Sequence, residues 1–232
     1  MSRHMKTFNA PKFYRVSPKS RPWIVKPLPG PHPKRESIPL AVVLRDILKI
    51  CDDLKDAKKI IKSGEIFVDG RVRKNYKFGV GLMDVISFKT LGKNYRVVMS
   101  TSGLKLIEIP KNEANLKLCR INRKIMIRGK KIQLGTHDGR SILANKDFNT
   151  GDSVLIELPS QKIIEHLKME KGNLGLITGG ENTGKFVKIK SVKRTRSREP
   201  NKVVCDLENR EIDAVKDDVF VVGKDKPRIK LE

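Results

Sequence analysis

Aromatic side chains make up only 5% of the 232 residues. That scarcity argues against a surface that grips its partner mainly by stacking single-stranded bases, and in favour of one that uses shape and phosphate. Cysteine is scarcer still: Cys51, Cys119 and Cys205 are odd in number and far apart, with no CxxC and no histidine at ligand spacing. They read as reduced cytosolic thiols, neither a disulfide set nor a zinc site. Long apolar runs are missing too. The longest, Ile38 to Leu44, contains Pro39 and is too short to cross a bilayer, and no basic-then-apolar signal segment opens the sequence. Acidic residues are the last shortage, 26 against 50 lysines and arginines, which leaves a formal net charge of +24 and a pI near 10.1.

Such an excess, spread along the chain, exceeds what solubility needs and implies a polyanionic partner. Neutralising phosphates releases counterions, and that release can dominate affinity. Nucleic acid is the leading ligand class. A length of 232 residues allows two or three small domains.

The chain is organised around Pro39 to Ile86. Leu40, Val43, Leu44, Ile47, Leu48 and Cys51 recur at helical spacing, and Asp52 or Asp53 is placed to cap a second helix that Gly64 ends. At about 100° per residue, Leu54, Ala57, Ile60 and Ile61 share one side of that helix. Lys55, Lys58, Lys59 and Lys62 gather on the other. Beyond it Ile66 and Val68 alternate into Asp69-Gly70, a pair suited to a type I′ turn, and Arg71, Arg73 and Lys74 extend the positive surface. This stretch resembles the small RNA-binding domain, two helices and a few strands, first described in bacterial small-subunit ribosomal protein four. The resemblance rests on the leucine-rich first helix, Lys58-Lys59-Ile60-Ile61, and the run Ser63 to Gly70. Lysine where many members carry arginine keeps the charge but loses the planar fork, which favours phosphate contact over base reading.

Residues 1–37 are basic and proline-rich, with Glu36 as the only acid and no periodic apolar pattern. They cannot fold on a core of their own. Lys6, Lys12, Arg15, Lys19, Arg21, Lys34 and Arg35 are expected to meet RNA there, with Phe8, Phe13, Tyr14 and Trp23 as anchors in an extension that orders on the nucleic acid. From about Phe88 to Glu170 short alternating segments predict a compact β domain. Its Thr136-His137-Asp138 turn has no identifiable nucleophile, so a turn-stabilising Asp beside a surface His is expected and not catalysis.

Gly179 to Lys185 fits G-x-x-x-x-G-K, but Phe186 stands where a P-loop needs Ser or Thr. Phe186 to Val192 also alternates like a strand where that motif needs a helix, which excludes a nucleotide hydrolase. The segment resembles instead the KOW motif, strand, glycine turn and strand, with Gly184 as the bending glycine. Lys185, Lys188, Lys193, Arg194, Arg196 and Arg198 are its expected RNA contacts.

The serial order, together with Gly30-Pro31-His32, Gly81 to Ile86 and Thr178-Gly179-Gly180, resembles the small-subunit ribosomal protein four family of archaea and eukaryotes. The resemblance covers essentially the whole chain, and the end at Glu232 resembles archaeal members. It implies an α+β multidomain fold: a basic N-terminal extension (1–37), a small helical RNA-binding domain with short strands (38–90), a central β domain (91–170) and a C-terminal SH3-like KOW barrel (171–232). It also implies small-subunit ribosomal RNA and neighbouring ribosomal proteins as partners, a ribosome-associated cytoplasmic location, and no cofactor, metal, membrane, small-molecule substrate or catalysis. A KOW-type transcription elongation factor and the targeting subunit of an RNA-modifying enzyme are the alternative readings.

Overall fold

The computed structural model describes residues 4–144, 147–195, 197–207 and 210–231. They form a mostly β protein with two short α-helices, divided into two compact units: residues 1–98 with 102–115, and residues 99–101 with 116–232. Among the described residues no helix is long and apolar enough to cross a membrane.

In the first unit, β1 (Met5–Lys6) pairs with β2 (Trp23–Ile24), and β3 (Ser37–Pro39) with β6 (Gly79–Gly81). Between them lie α1 (Leu40–Val42) and α2 (Leu54–Ser63). A five-stranded antiparallel sheet combines β4 (Ile66–Val68), β5 (Arg71–Val72), β7 (Val85–Phe88), β8 (Asn94–Ser100) and β9 (Gly103–Ile109) in the order β5-β4-β7-β8-β9. Thus β8 and β9 join the sheet of the first unit, and the chain passes into the second near residue 115.

The first helix is shorter than its apolar spacing predicts. After Val42 the chain widens into a π-helical turn, Val43–Ile47, in which Leu48 N–H reaches the Val43 carbonyl at 2.9 Å. Leu40 to Leu44 are all buried, so packing on every side, not one amphipathic stripe, holds this segment. The second helix follows its pattern: Ala57 and Ile61 are buried, Leu54 and Ile60 half-buried. Asp53 occupies the N-cap position with extended backbone but makes no side-chain cap bond, whereas Gly64 closes the helix in the left-handed conformation, φ 84°. Asp69 and Gly70, φ 52° and 72°, make the two-residue turn of the β4–β5 hairpin.

The N-terminal segment departs from expectation. It has no core of its own, yet it borrows one: Met5, Tyr14, Ile24 and Val25 are buried. The Tyr14 hydroxyl donates to the Ser37 carbonyl at 3.0 Å, and burial pushes its pKa up. Phe13 lies so close to Gly103 that a Cβ there would come within 2.5 Å of the Phe13 Cβ. Each buried large apolar side chain contributes about 1.5–3 kcal/mol, enough for a few to hold a short segment without RNA. Tyr14 is therefore an internal anchor, while Phe8 and Trp23 point outward.

The second unit holds two five-stranded antiparallel sheets. One comprises β10 (Leu116–Ile127), β11 (Lys131–Thr136), β12 (Ser141–Ala144), β13 (Ser153–Glu157) and β14 (Ile163–Leu167), in the order β12-β11-β10-β13-β14. The other comprises β15 (Leu174–Ile177), β16 (Phe186–Lys193), β17 (Lys202–Leu207), β18 (Arg210–Val215) and β19 (Val219–Gly223), in the order β18-β17-β16-β15-β19. Gly184 lies in the β15–β16 turn at φ 83°, its N–H donating to the Ile177 carbonyl at 2.7 Å. A β-carbon is strained at such a φ.

Candidate RNA interface

Helix α2 carries its lysines on the face away from the core because the apolar residues at the alternate spacing are drawn inward. Lys55, Lys59 and Lys62 are exposed, and Lys58 is half-buried with its Nζ 4.7 Å from the centroid of the Tyr76 ring. Lys59 stands 3.5 Å from Asp56, but both side chains are more than half exposed, so this pair adds little and neutralises little. At the end of the helix, Gly64 lets the next strands come close: a Cβ there would sit 3.3 Å from the Lys74 side chain. Lys74 therefore lies over the turn that follows Lys62. Arg71 is exposed on β5, whereas Arg73 is half-buried, its guanidinium stacked 4.4 Å from the centroid of Phe78.

Exposed acid on this surface is confined to the start of α2, at Asp52, Asp53 and Asp56. Between Ala57 and Phe88 the acids are Glu65, Asp69 and Asp84. Glu65 accepts from the Thr90 hydroxyl, buried Asp69 accepts from the Val85 N–H at 3.0 Å, and buried Asp84 accepts from the Gly81 N–H at 2.9 Å while lying 3.0 Å from His32 Nε2. His32 is thus a buried partner of Asp84 that ties the extension to the sheet.

The extension places Lys6, Lys12, Arg15, Lys19, Lys34 and Arg35 on the surface and leaves Arg21 half-buried. Several are already held: Lys6 Nζ sits 5.9 Å from the Trp23 ring, Arg15 donates to the Ser102 hydroxyl at 2.7 Å, and Arg21 to the Asp52 carbonyl at 3.3 Å.

The cations near β16 are a different population. Val187 and Ile189 are buried and Lys188 exposed, as alternation requires. Lys185 and Arg194 are exposed, as is Arg198; Arg196 lies outside the described residues. Acids on the neighbouring strands reach this set: Lys190 lies 2.8 Å from Glu211 and 3.5 Å from Asp206, and Lys193 lies 3.6 Å from Asp213. The hydrogen bond with Glu211, opposed by slight desolvation and helped by Asp206, raises the Lys190 pKa.

The Thr136-His137-Asp138 turn is more deeply built than a surface turn. Asp138 is buried, 2.7 Å from the ammonium of fully buried Lys117 and 2.7 Å from Arg140 Nε, with the Thr136 hydroxyl donating to its other oxygen. Burial alone would raise its pKa; the Lys117 charge, His137 and the bonds from Lys117 and Thr136 win and hold it far below the usual carboxylate range. His137 is half-buried, not a surface residue: its Nδ1 accepts from the Arg120 N–H at 3.2 Å and its ring meets Phe220 edge-on. Ligand atoms of Cys119, His137 and Asp138 lie within 4.8 Å of one another, but the Lys117 ammonium already supplies positive charge to the carboxylate. The carboxylate is thus part of an internal ion pair.

Sequence reasoning missed Lys117, the ring of Tyr76, and Arg96, which is fully buried and donates to the Glu113 side chain at 2.9 Å and to its carbonyl at 3.0 Å. Tyr76 had a signal, an aromatic set between Lys74 and Lys77; the buried cations had none.

Comparison with known proteins gives three consecutive family matches: the RS4NT (NUC023) domain over residues 1–35, the S4 domain over residues 39–86, and the ribosomal family S4e over residues 91–163. The small ribosomal subunit protein eS4 of Methanothermobacter thermautotrophicus is 46% identical over 99% of this chain and 96% of its own length. That of Archaeoglobus fulgidus is 46% identical over 98% of this chain and 97% of its own. The crystal structure of the 30S ribosomal protein S4e from Thermoplasma acidophilum superposes with a TM-score of 0.71 at 33% identity, over 82% of this chain and 96% of that one. With identity at this level sustained over nearly its whole length, the chain belongs to the S4e family of ribosomal proteins.

Proposed function

We propose that this chain is a structural constituent of the small ribosomal subunit, associated with ribosomes in the cytoplasm, that binds small-subunit rRNA and neighbouring ribosomal proteins and performs no chemistry. The observation that carries the reading is the cationic surface of α2 and the β4–β5 hairpin, where the acids after Asp56 are turned into the fold or bonded to other groups. Lys55, Lys58, Lys59, Lys62, Arg71 and Lys74 contact phosphates of helical RNA there, and Arg73, braced on Phe78, sits at its margin. Lysine ammoniums act as point charges, so they position the protein on the backbone without reading bases. Residues 38–90 act as the RNA-binding domain, whose sheet β8 and β9 extend, the rest of 91–170 as the central β domain and 171–232 as a KOW-type barrel whose bend is Gly184. Lys185, Lys188, Lys193, Arg194, Arg196 and Arg198 form a second, weaker set of contacts, and the basic residues of 1–37 a third.

The test is the salt dependence of binding to a small-subunit rRNA fragment. Replacing Lys55, Lys58, Lys59 and Lys62 by alanine should flatten the slope of log K against log salt by about three units, at roughly 0.7–0.9 per phosphate lost. An unchanged slope would put the main contact elsewhere.

A further inference from the structure

The first unit holds its arginines in unlike ways. Arg45 donates to the Asp46 carboxylate through Nε and Nη2, at 3.0 and 2.8 Å, and buried Arg96 donates to the Glu113 side chain at 2.9 Å. Arg15 and Arg21 reach the Ser102 hydroxyl and the Asp52 carbonyl, while Arg35 and Arg71 are exposed. Arg73 is fixed by an aromatic ring instead of an acceptor. Its guanidinium carbon lies 4.4 Å from the centroid of Phe78, its side chain is half-buried, and its Nε is shut off from solvent without an acceptor among the described residues.

The backbone holds both halves of this contact. The Arg73 N–H donates to the Ile66 carbonyl on the neighbouring strand at 3.0 Å. The Phe78 N–H donates to the Asn75 carbonyl at 3.1 Å, and the Phe78 carbonyl accepts from the Leu40 N–H, at the start of α1, at 2.9 Å. A guanidinium stacked in this way loses one face to the ring but keeps the planar fork of its terminal N–H groups. It is held in place, partly desolvated and given no acceptor by its own protein, so it is set for an acceptor from outside.

Of what RNA offers, such a fork best meets two acceptors side by side in one plane. We propose that Arg73 is the specificity-determining residue of the α2 face, taking one such acceptor pair at a fixed place on the RNA while the lysines hold phosphates wherever they fall. The pair is the O6/N7 edge of a guanine outside regular helix, whose deep major groove side chains do not read, or two oxygens of a backbone phosphate. The proposal rests on the reading of the chain as an RNA-binding protein and adds a geometric contact to a face otherwise made of point charges.

The charge-conserving variant Arg73→Lys separates the fork from its charge. The full chain and the variant are titrated, at several salt concentrations, with the small-subunit rRNA fragment and with a scrambled RNA of equal length. Arg73→Lys should weaken binding to the rRNA fragment about 5- to 150-fold, the loss expected of one bidentate contact, and change binding to the scrambled RNA less than about twofold. The salt slope should stay within about half a unit, the opposite of the four-lysine variant. Phe78→Leu keeps the fork but removes its brace, so it should lower the same discrimination by a smaller factor; where that variant proves unstable to denaturant, Arg73→Lys decides alone. Guanine replaced by 7-deazaguanine tells the two acceptor pairs apart. A guanine edge makes the unaltered chain lose that factor and the lysine variant nothing further, whereas a phosphate pair leaves both chains as they were. An Arg73→Lys chain that binds both RNAs like the unaltered one, or weakens equally on both, would overturn the proposal. Failure of the unaltered chain to bind rRNA would instead sink the reading of the protein as a ribosomal constituent.

Discussion

The lysines of α2 and the cations of the second unit are the same residue types in opposite circumstances. Past the exposed Asp52, Asp53 and Asp56 at the start of α2, the nearby acids are buried or bonded to other groups, and Lys55, Lys59 and Lys62 project into water with one weak partner in Asp56. In the second unit Lys117 is sealed against Asp138, and on β16 Lys190 is shared between Glu211 and Asp206, while Lys193, 3.6 Å from Asp213, is paired only about as well as Lys59. A cation matched by its own protein holds the fold; a cation left unmatched is available to an outside polyanion. Net charge therefore says that a partner exists, and only the pairing says which lysines meet it.

The comparison breaks hardest at Asp138. Asp138→Asn leaves buried Lys117 without its counter-ion, and breaking a buried pair in this way costs about 3–5 kcal/mol. Denaturant unfolding of the variant should show that loss, with the salt slope of RNA binding by the folded protein unchanged. The same carboxylate sets an acid dependence. Because its folded pKa lies below the unfolded value of about 3.9, its stabilisation is present above that value and is lost as pH falls below it. Between about pH 5 and pH 2 the unaltered chain should lose more stability than the Asn variant. A variant whose unfolding matches the unaltered chain at every pH would make Asp138 a bystander.

A smaller effect sharpens the contrast at the surface. Lys190→Ala removes a cation that already bridges Glu211 and Asp206, so the salt slope should fall by less than about half a unit, against about three for the four lysines of α2. An equal loss per lysine at the two places would mean that pairing does not decide availability.

Much of the first unit was readable from the sequence, since helix α2, its glycine stop and the Asp69-Gly70 turn are local decisions made by a few adjacent residues. The strand after Gly184 was readable for the same reason: Val187 and Ile189 alternate with lysines, and Phe186 breaks the P-loop. What escaped depends on residues distant in sequence. Lys117 sits between Leu116 and Leu118 on a strand covered on both sides, and its partner lies far along the chain, so nothing near it marks it as interior. Tyr14 and Met5 looked like parts of a tail because the surfaces that bury them come from later elements, one of them the Ser37 strand. The α2 stripe could be read as a stripe; that Glu65, Asp69 and Asp84 after it are engaged elsewhere could not.

Lysine reactivity in the assembled particle reaches the central claim most directly. Native small subunits and the free chain are treated with an acylating reagent, and modification at each lysine is compared by mass spectrometry. Lys55, Lys59 and Lys62 should be modified readily in the free chain and strongly protected in the subunit, with lysine-to-rRNA crosslinks at the same positions. Equal reactivity in both states would contradict the account.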